Sequence, residues 1–146
     1  MNKSVILSKS PEETEEIARE ISEKVKSGGI IALFGELGSG KTTFTKGLSK
    51  ALGIKERVIS PTFVLVREHR IKNYESRIRK FYHIDLYRVK KESELTGLGI
   101  KEILLDKENI IAIEWAEKAK GVLPKGRIEV YFEYKSENER FLTIHE

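Results

Sequence analysis

The chain has 146 residues, of which 27 are lysine or arginine and 23 are aspartate or glutamate, for a net charge of +4. This length fits one domain, since domains of roughly 100–150 residues are the most common. The absence of cysteine excludes a disulfide framework, a thiolate nucleophile and a zinc site held by thiolates.

Apolar stretches in the sequence are short. The longest ones, such as residues 30–34, fall far below the about 20 residues that a membrane-spanning helix needs. Residues 5–7 are three apolar residues in a row, which is too few for the core of a secretory signal. We therefore expect a cytoplasmic protein. With no repeat and no flexible linker, a single domain over residues 1–146 is predicted.

The first half of the chain predicts a helix, a buried strand and a second helix. Ser10 is placed to cap a helix that carries apolar residues every four positions and ends at Gly28-Gly29. Residues 30–34 form a continuous apolar run, which is typical of a strand buried on both faces. The spacing of Phe44, Leu48 and Leu52 then predicts an amphipathic helix that stops at Gly53.

The second half predicts mostly strands. Residues 62–71 and 78–86 alternate like two half-exposed strands joined through residues 72–77, with Tyr82, Ile84 and Leu86 on the apolar face of the second. The remaining predicted elements are a short helical stretch at 91–105, a buried strand at 110–113, an alternating strand at 128–134, a loop at 136–138 and a strand at 141–144. The fold class is therefore α/β, a central mixed β-sheet flanked by helices.

One motif in the sequence carries a specific chemistry, because it matches the P-loop (Walker A) pattern G-x-x-x-x-G-K-[ST]. Glycines let backbone N–H groups converge on phosphate oxygens, the lysine reaches the β- and γ-phosphates, and the following hydroxyl serves Mg²⁺. The motif lies between a predicted buried strand and a predicted helix, which is the context it requires. We therefore predict binding of a nucleoside triphosphate at Gly35, Glu36, Leu37, Gly38, Ser39, Gly40, Lys41, Thr42 and Thr43.

Acidic residues at the ends of two other strands are candidates for the rest of the site. Glu114 follows the buried run 110–113, where P-loop proteins place the acid that orders Mg²⁺, although a solvated glutamate at the end of a strand has the same pattern. Trp115 is either a packing residue or an indole close to the nucleotide. Asp85 either orients the attacking water or forms a surface ion pair with Arg88, and both interpretations remain open.

Residues 60–63, Ser-Pro-Thr-Phe, are similarly ambiguous. They are either a turn before a strand or a loop whose hydroxyls, from Ser60 and Thr62, respond to the γ-phosphate. A GTPase is not supported, because the only Asn-Lys pair, Asn2-Lys3, lacks the aspartate of the guanine signature.

Four segments together resemble the TsaE (formerly YjeE) family, ATPases that act in bacterial synthesis of threonylcarbamoyladenosine in tRNA. The resemblance lies in residues 35–43, 60–63, 83–88 and 113–117 and covers the chain from about residue 10 to 130. It implies a P-loop NTPase-like fold, ATP and Mg²⁺ as ligands, and the TsaD and TsaB proteins as partners. Many members have proline at the position of Ala116, a departure that affects the turn after Glu114.

The resemblance also implies roles for individual residues. Lys41 and Thr42 would bind phosphate and Mg²⁺, Glu114 would complete the metal site, and the loops at 60–62 and 83–88 would act as switches. The candidate catalytic residues are Lys41, Asp85 and Glu114, the metal ligands are Thr42 and Glu114, and Ser60, Thr62 and Trp115 join the P-loop as nucleotide-binding candidates.

Three functions remain in competition on sequence grounds. The main one is an ATPase that TsaD and TsaB stimulate and that is slow alone, since the sequence shows no obvious arginine finger preset beside the P-loop. A small-molecule P-loop kinase is the alternative. Residues 67–91 carry nine basic and three acidic residues, which would also suit a nucleic-acid-binding module, although contact with tRNA is expected to be indirect.

Overall fold

A computed structural model describes residues 2–55, 66–71 and 80–146. The strands of this part are β1 (Lys3–Ser8), β2 (Gly29–Phe34), β3 (Val66–Arg70), β4 (Lys80–Asp85), β5 (Asn109–Glu114), β6 (Ile128–Tyr134) and β7 (Arg140–His145). The helices are α1 (Pro11–Lys24), α2 (Lys41–Ala51) and α3 (Ile100–Leu105), with 3-10 helices at Glu92–Leu98 and Ala116–Ala119. No helix among the described residues is long and apolar enough to cross a membrane.

The strands of the described residues form one mixed sheet in the order β1-β7-β6-β2-β5-β4-β3. The four inner strands β6, β2, β5 and β4 are parallel, and the outer strands β7, β1 and β3 pair antiparallel to their neighbours. Because β2, β4 and β5 are parallel, the segments that follow them meet at one edge of the sheet. The predicted α/β fold with a mixed sheet flanked by helices is confirmed.

Apolar side chains of the inner strands pack on both faces of the sheet. On β2, Ile31 and Leu33 face the cluster formed with α1 and α2, whereas Ile30 and Ala32 face the cluster under α3 and the 3-10 helices. A strand covered on both sides needs apolar residues at consecutive positions. This explains why β2 and the equally buried β5 were recognisable in the sequence as continuous apolar runs.

Helix α1 begins at the predicted cap. Ser10 Oγ accepts a hydrogen bond from Glu13 N at 3.1 Å, and Pro11 occupies the first turn. Glu13 Oε2 reaches back to Lys9 N at 2.7 Å, one residue before the cap, so the capping box is shifted by one position. The helix ends at Lys24, earlier than the predicted stop at Gly28-Gly29.

Strand β4 corrects the prediction of a half-exposed strand at residues 78–86. Tyr82 and Ile84 are buried as predicted, but Phe81, His83 and Asp85 on the opposite face are buried too. The reason is that β4 lies inside the sheet, between β5 and β3, with side chains packed on both faces. The predicted pairing with the preceding strand is confirmed by β3, while the connection at 72–77 lies outside the described residues.

Three further elements differ from the sequence-based expectation. Strand β1 was not predicted, because its apolar residues show no alternation and only its pairing with β7 makes it a strand. The helical stretch at 91–105 is divided at Gly99, whose φ of 69° ends the 3-10 helix before α3. Tyr134 at the end of β6 is 66% exposed and does not continue the buried face of Ile128, Val130 and Phe132.

Candidate functional site

Residues 35–40 connect β2 to α2 and form the glycine loop. The first glycine is required by close packing, because a Cβ on Gly35 would lie 2.7 Å from Ser39 Oγ and 2.9 Å from Phe132 O. Helix α2 begins directly after the loop, and Phe44 N donates to Gly40 O at 3.0 Å as an early bond of the helix. The first N–H groups of such a helix have no intrahelical partner and carry partial positive charge. The strand-loop-helix context that the motif requires is therefore present.

A cleft of about 340 Å³ opens above the glycine loop. It is bounded by the loop and the start of α2, by the residues that end β4 and β5, and by the first residue of β7. The predicted site residues that line it are Leu37, Gly38, Ser39, Gly40, Lys41, Thr42, Thr43, Asp85, Glu114 and Trp115, together with Arg88 from the same motif as Asp85. Gly35 and Glu36 are not among the lining residues, and Ser60 and Thr62 lie outside the described residues.

The Lys41 side chain is folded back onto the glycine loop. Its Nζ donates to Gly35 O and, at 3.1 Å, to Glu36 O, and it lies 4.0 Å from the centroid of the Trp115 ring. Burial lowers the pKa of Lys41, and the carboxylates led by Glu114 act in the opposite direction. The loop thus holds a nearly buried cation whose hydrogen bonds go to neutral carbonyl groups, where an anionic ligand would bind more strongly.

Glu114 joins the end of β5 to the start of α2. One carboxylate oxygen, Oε1, accepts from Thr42 Oγ1 at 3.2 Å, and the other, Oε2, accepts from Nε2 of His83. Glu114 is 3% exposed, so it is not the solvated glutamate of the alternative interpretation. Both of its oxygens are fixed, and one of them faces a hydroxyl.

A hydroxyl and a carboxylate side by side fit the preference of Mg²⁺ for oxygen ligands. The described residues contain no group of three or more histidines or acidic residues that could hold a metal. Mg²⁺ usually takes one or two protein ligands, and phosphate oxygens and water supply the rest. Thr42 and Glu114 therefore suit a Mg²⁺ ion that arrives with a phosphate ligand.

Asp85 lies at the end of β4, paired in register with Glu114 on β5. Its carboxylate is buried at 7% exposure, and Oδ1 accepts from Tyr87 N at 3.0 Å. This local bond fixes the carboxylate in a turn at the cleft wall. Asp85 is therefore buried, and not exposed as a residue of a solvated surface pair would be.

Trp115 adopts an unusual backbone conformation directly after Glu114. Its φ is 58°, and among the described residues it is the one residue other than glycine with a positive φ. This left-handed conformation costs an L-residue about 1–2 kcal/mol. The indole lies against Lys41, and its ring centroid is 5.3 Å from that of Tyr87. The only tryptophan of the chain thus lines the cleft.

Two residues of the site have no individual role in the sequence analysis. His83, in the predicted switch segment 83–88, is fully buried and bound to Glu114, and the two-residue alternation of β4 places it on the same face as Asp85. Arg140 donates from Nη2 to Gly38 O at 3.2 Å. No local signal in the sequence indicates this contact, because 102 residues separate the two partners.

Comparisons with known proteins agree on one family. Residues 8–142 match the family model described as "Threonylcarbamoyl adenosine biosynthesis protein TsaE". A Bacillus subtilis (strain 168) protein named "tRNA threonylcarbamoyladenosine biosynthesis protein TsaE" is 37% identical over 134 residues, which cover 92% of this chain and 80% of that protein. A protein of the same name from Aquifex aeolicus (strain VF5) is 41% identical over 145 residues, 98% of this chain and 96% of that protein.

A solved structure shares the fold. The crystal structure of Bacillus subtilis YdiB superposes with a TM-score of 0.78 at 29% identity, covering 98% of this chain and 84% of YdiB. The family model spans nearly the whole chain, and the relatives exceed one-third identity over most of their own length. The chain belongs to the TsaE family.

Proposed function

We propose that this chain is a Mg²⁺-dependent ATPase of tRNA threonylcarbamoyladenosine biosynthesis, which acts in the cytoplasm on a TsaD–TsaB complex to support its turnover. The relatives named for that biosynthesis support the pathway. The observation that carries the activity is the nearly buried Lys41 in the glycine loop, beside the Thr42–Glu114 pair.

Phosphate binding would use the glycine loop and the start of α2. Backbone N–H groups at the N-terminus of α2 have no partner within the helix and would donate to phosphate oxygens. Lys41 would exchange its two neutral carbonyl acceptors for β- and γ-phosphate oxygens, a gain because these oxygens carry negative charge and attract the ammonium group more strongly. Bound phosphate would also raise the pKa of Lys41, against the lowering that burial causes.

Metal binding would use Thr42 and Glu114. Mg²⁺ at this place supplies neutralisation of charge on the phosphate oxygens. His83 would hold the Glu114 carboxylate in position through its Nε2–H, which leaves the other oxygen turned to Thr42. Oriented partners of this kind are what keep a metal ligand in its productive conformation.

Hydrolysis would use Asp85. Its carboxylate lies at the cleft wall beside Glu114, and Tyr87 N fixes one of its oxygens. We assign it the role of orienting the attacking water and accepting its proton as the bond to the γ-phosphorus forms and ADP leaves. A role confined to the transition state predicts that Asp85 contributes to turnover and little to ATP affinity.

Stimulation by partners would act through the predicted switch segments. Val66, the first residue of β3, pairs with Ile84, which directly precedes Asp85. The segment before it contains Ser60 and Thr62, to which we assign a switch role together with residues 83–88. The basic residues of 67–91 would dock on the partner complex through charge complementarity.

Calorimetric titration with ATP and Mg²⁺ tests the phosphate site. Lys41→Ala should abolish measurable binding, and Lys46→Ala is the matched control, since Lys46 is exposed on the same helix. Thr42→Ala and Glu114→Ala should weaken binding with Mg²⁺ and leave binding in EDTA unchanged. A Lys41→Ala variant that binds ATP as tightly as the parent would contradict the phosphate site.

The alternative function, a small-molecule kinase, is tested by following the phosphate group. Its transfer to an acceptor other than water would favour the kinase.

A further inference from the structure

Arg140 ties the turn between β6 and β7 to the glycine loop. Its Nη1 donates to Ser136 O at 2.6 Å and to Glu139 O at 2.8 Å, which closes the turn, and its Nη2 donates to Gly38 O at 3.2 Å. The guanidinium carbon lies 4.6 Å from the centroid of the Tyr134 ring. The side chain lines the cleft. Nothing in the proposed function uses this residue.

The position of Arg140 identifies the end of the nucleotide that it faces, given that the chain binds ATP as proposed. Strand β2, which leads into the glycine loop, lies between β5 and β6. The groups assigned to the terminal phosphate and the metal, Glu114 and Asp85, lie on the β5 side. An extended triphosphate whose terminal phosphate lies there directs its nucleoside toward the β6 side, where Tyr134 and Arg140 are located.

The hydrogen bonds of Arg140 determine which contact it can offer. Its Nη1 donates to the carbonyls of Ser136, Glu137 and Glu139, and its Nη2 donates to that of Gly38. Its Nε is buried without a partner. The Tyr134 ring packs against the guanidinium. A planar cation with its donors engaged in this way is suited to stacking on a flat ring and poorly placed to chelate phosphate.

We propose that Arg140, supported by Tyr134, is a nucleoside-binding residue on which the base of the bound nucleotide stacks. The contact is absent for a ligand that consists of phosphates alone. Arg140 therefore raises affinity for a nucleotide over a bare polyphosphate, and it does so equally for the di- and triphosphate.

The test compares ATP, ADP and inorganic tripolyphosphate, each titrated with Mg²⁺ into the full chain. Arg140→Ala should weaken ATP and ADP to a similar degree, roughly 5- to 30-fold, which is the effect of losing one stacking contact. Tripolyphosphate affinity should stay within about 2-fold of the parent. Arg140→Lys should lose as much as Arg140→Ala, because it keeps the charge and lacks the planar face. Arg19→Ala, which removes an exposed arginine on α1, is the control for charge.

Tyr134 supplies variants that leave the Arg140 hydrogen bonds to the turn in place. Tyr134 is exposed, so its replacement leaves the core unchanged. Tyr134→Phe keeps the ring against the guanidinium and should preserve the nucleotide affinity, whereas Tyr134→Ala removes the ring and should lower that affinity severalfold. Neither change should alter the affinity for tripolyphosphate. If Arg140→Ala loosens the β6–β7 turn, the Tyr134 variants still test the stacking contact.

Three results would overturn the proposal. If Arg140→Ala weakens tripolyphosphate binding as much as ATP binding, Arg140 positions the glycine loop. If it weakens ATP binding more than ADP binding, Arg140 acts on the terminal phosphate. If all three affinities are unchanged, Arg140 is not part of the site. A parent protein that binds neither ATP nor tripolyphosphate would instead contradict the proposed function itself, so the two failures are distinguishable.

Discussion

Replacement of His83 by phenylalanine probes the connection between the core of the sheet and the metal site. His83 is fully buried on β4, and its Nε2 donates to Glu114 Oε2. Phenylalanine has a similar shape and no hydrogen-bond donor. The substitution therefore leaves the packing nearly intact and removes the group that fixes one oxygen of Glu114, whose other oxygen faces Thr42.

Two magnitudes follow from this geometry. Leaving a buried carboxylate oxygen without a partner costs about 1–3 kcal/mol of unfolding free energy. His83 Nδ1 is itself buried without a partner, and its removal offsets part of the loss, so we expect a decrease of about 1 kcal/mol. Loss of the residue that orients a metal ligand typically lowers metal affinity about 10- to 100-fold. ATP affinity in EDTA should change less than about 2-fold, because Lys41 and the glycine loop are untouched.

Urea denaturation measures the stability, and the fluorescence of the single tryptophan, Trp115, in the cleft measures ATP binding at graded Mg²⁺ concentrations. His145→Phe is the matched control, because it makes the same substitution on β7, away from Glu114. There the histidine ring packs on Tyr131. His83→Gln, which keeps an N–H donor, should recover part of the Mg²⁺ dependence. A His83→Phe protein that loses stability and keeps the parent's Mg²⁺ dependence would refute the positioning role.

The remaining predictions concern the reaction, its pH dependence and the packing of the two long helices. Asp85→Ala should keep ATP affinity and lower partner-stimulated hydrolysis about 100-fold or more, measured as phosphate release; a parallel loss of binding would place Asp85 in the ground-state site. Because burial lowers the pKa of Lys41 and bound phosphate would raise it, ATP affinity in EDTA should fall as pH rises through that lowered pKa. Affinity that stays constant up to about pH 10 would contradict this, since that is where an ordinary lysine titrates. Gly47→Ala should destabilise the fold by about 1–3 kcal/mol in thermal or urea unfolding, because the added Cβ would lie 2.6 Å from Glu15 O on α1. Gly97→Ala, whose Cβ meets nothing within 4 Å, should be neutral, and equal effects of the two changes would contradict the close approach of the helices.

The parts of the fold that the sequence predicts well are those with a local cause. Continuous apolar runs revealed β2 and β5, because strands buried on both faces need such runs, and the cap at Ser10 was visible from neighbouring residues. The glycine loop was equally visible, since its glycines, lysine and threonine are adjacent in the chain. The convergence of Asp85 and Glu114 on that loop then follows from the parallel pairing of β4 and β5.

The parts that the sequence could not predict depend on contacts between distant residues. Arg140 and Gly38 are 102 residues apart, so this pair leaves no periodic signal. The alternation of β4 indicates the face on which His83 lies, but not its bond to Glu114, which is 31 residues away. Strand β1 is likewise defined by its partner β7 and not by its own residues. The half-exposed pattern assigned to β4 failed for a related reason, since His83 and Asp85 are polar yet buried, and burial of such groups is stable only when hydrogen bonds satisfy them.

The most direct test of the central claim is the rate of phosphate release from ATP by the purified chain, measured with Mg²⁺ in the absence and presence of the TsaD–TsaB complex. The proposed function predicts slow release by the chain alone, a clear increase when the complex is added, and no increase for the complex with Lys41→Ala. A rate that the complex leaves unchanged, or stimulation that persists in Lys41→Ala, would contradict it.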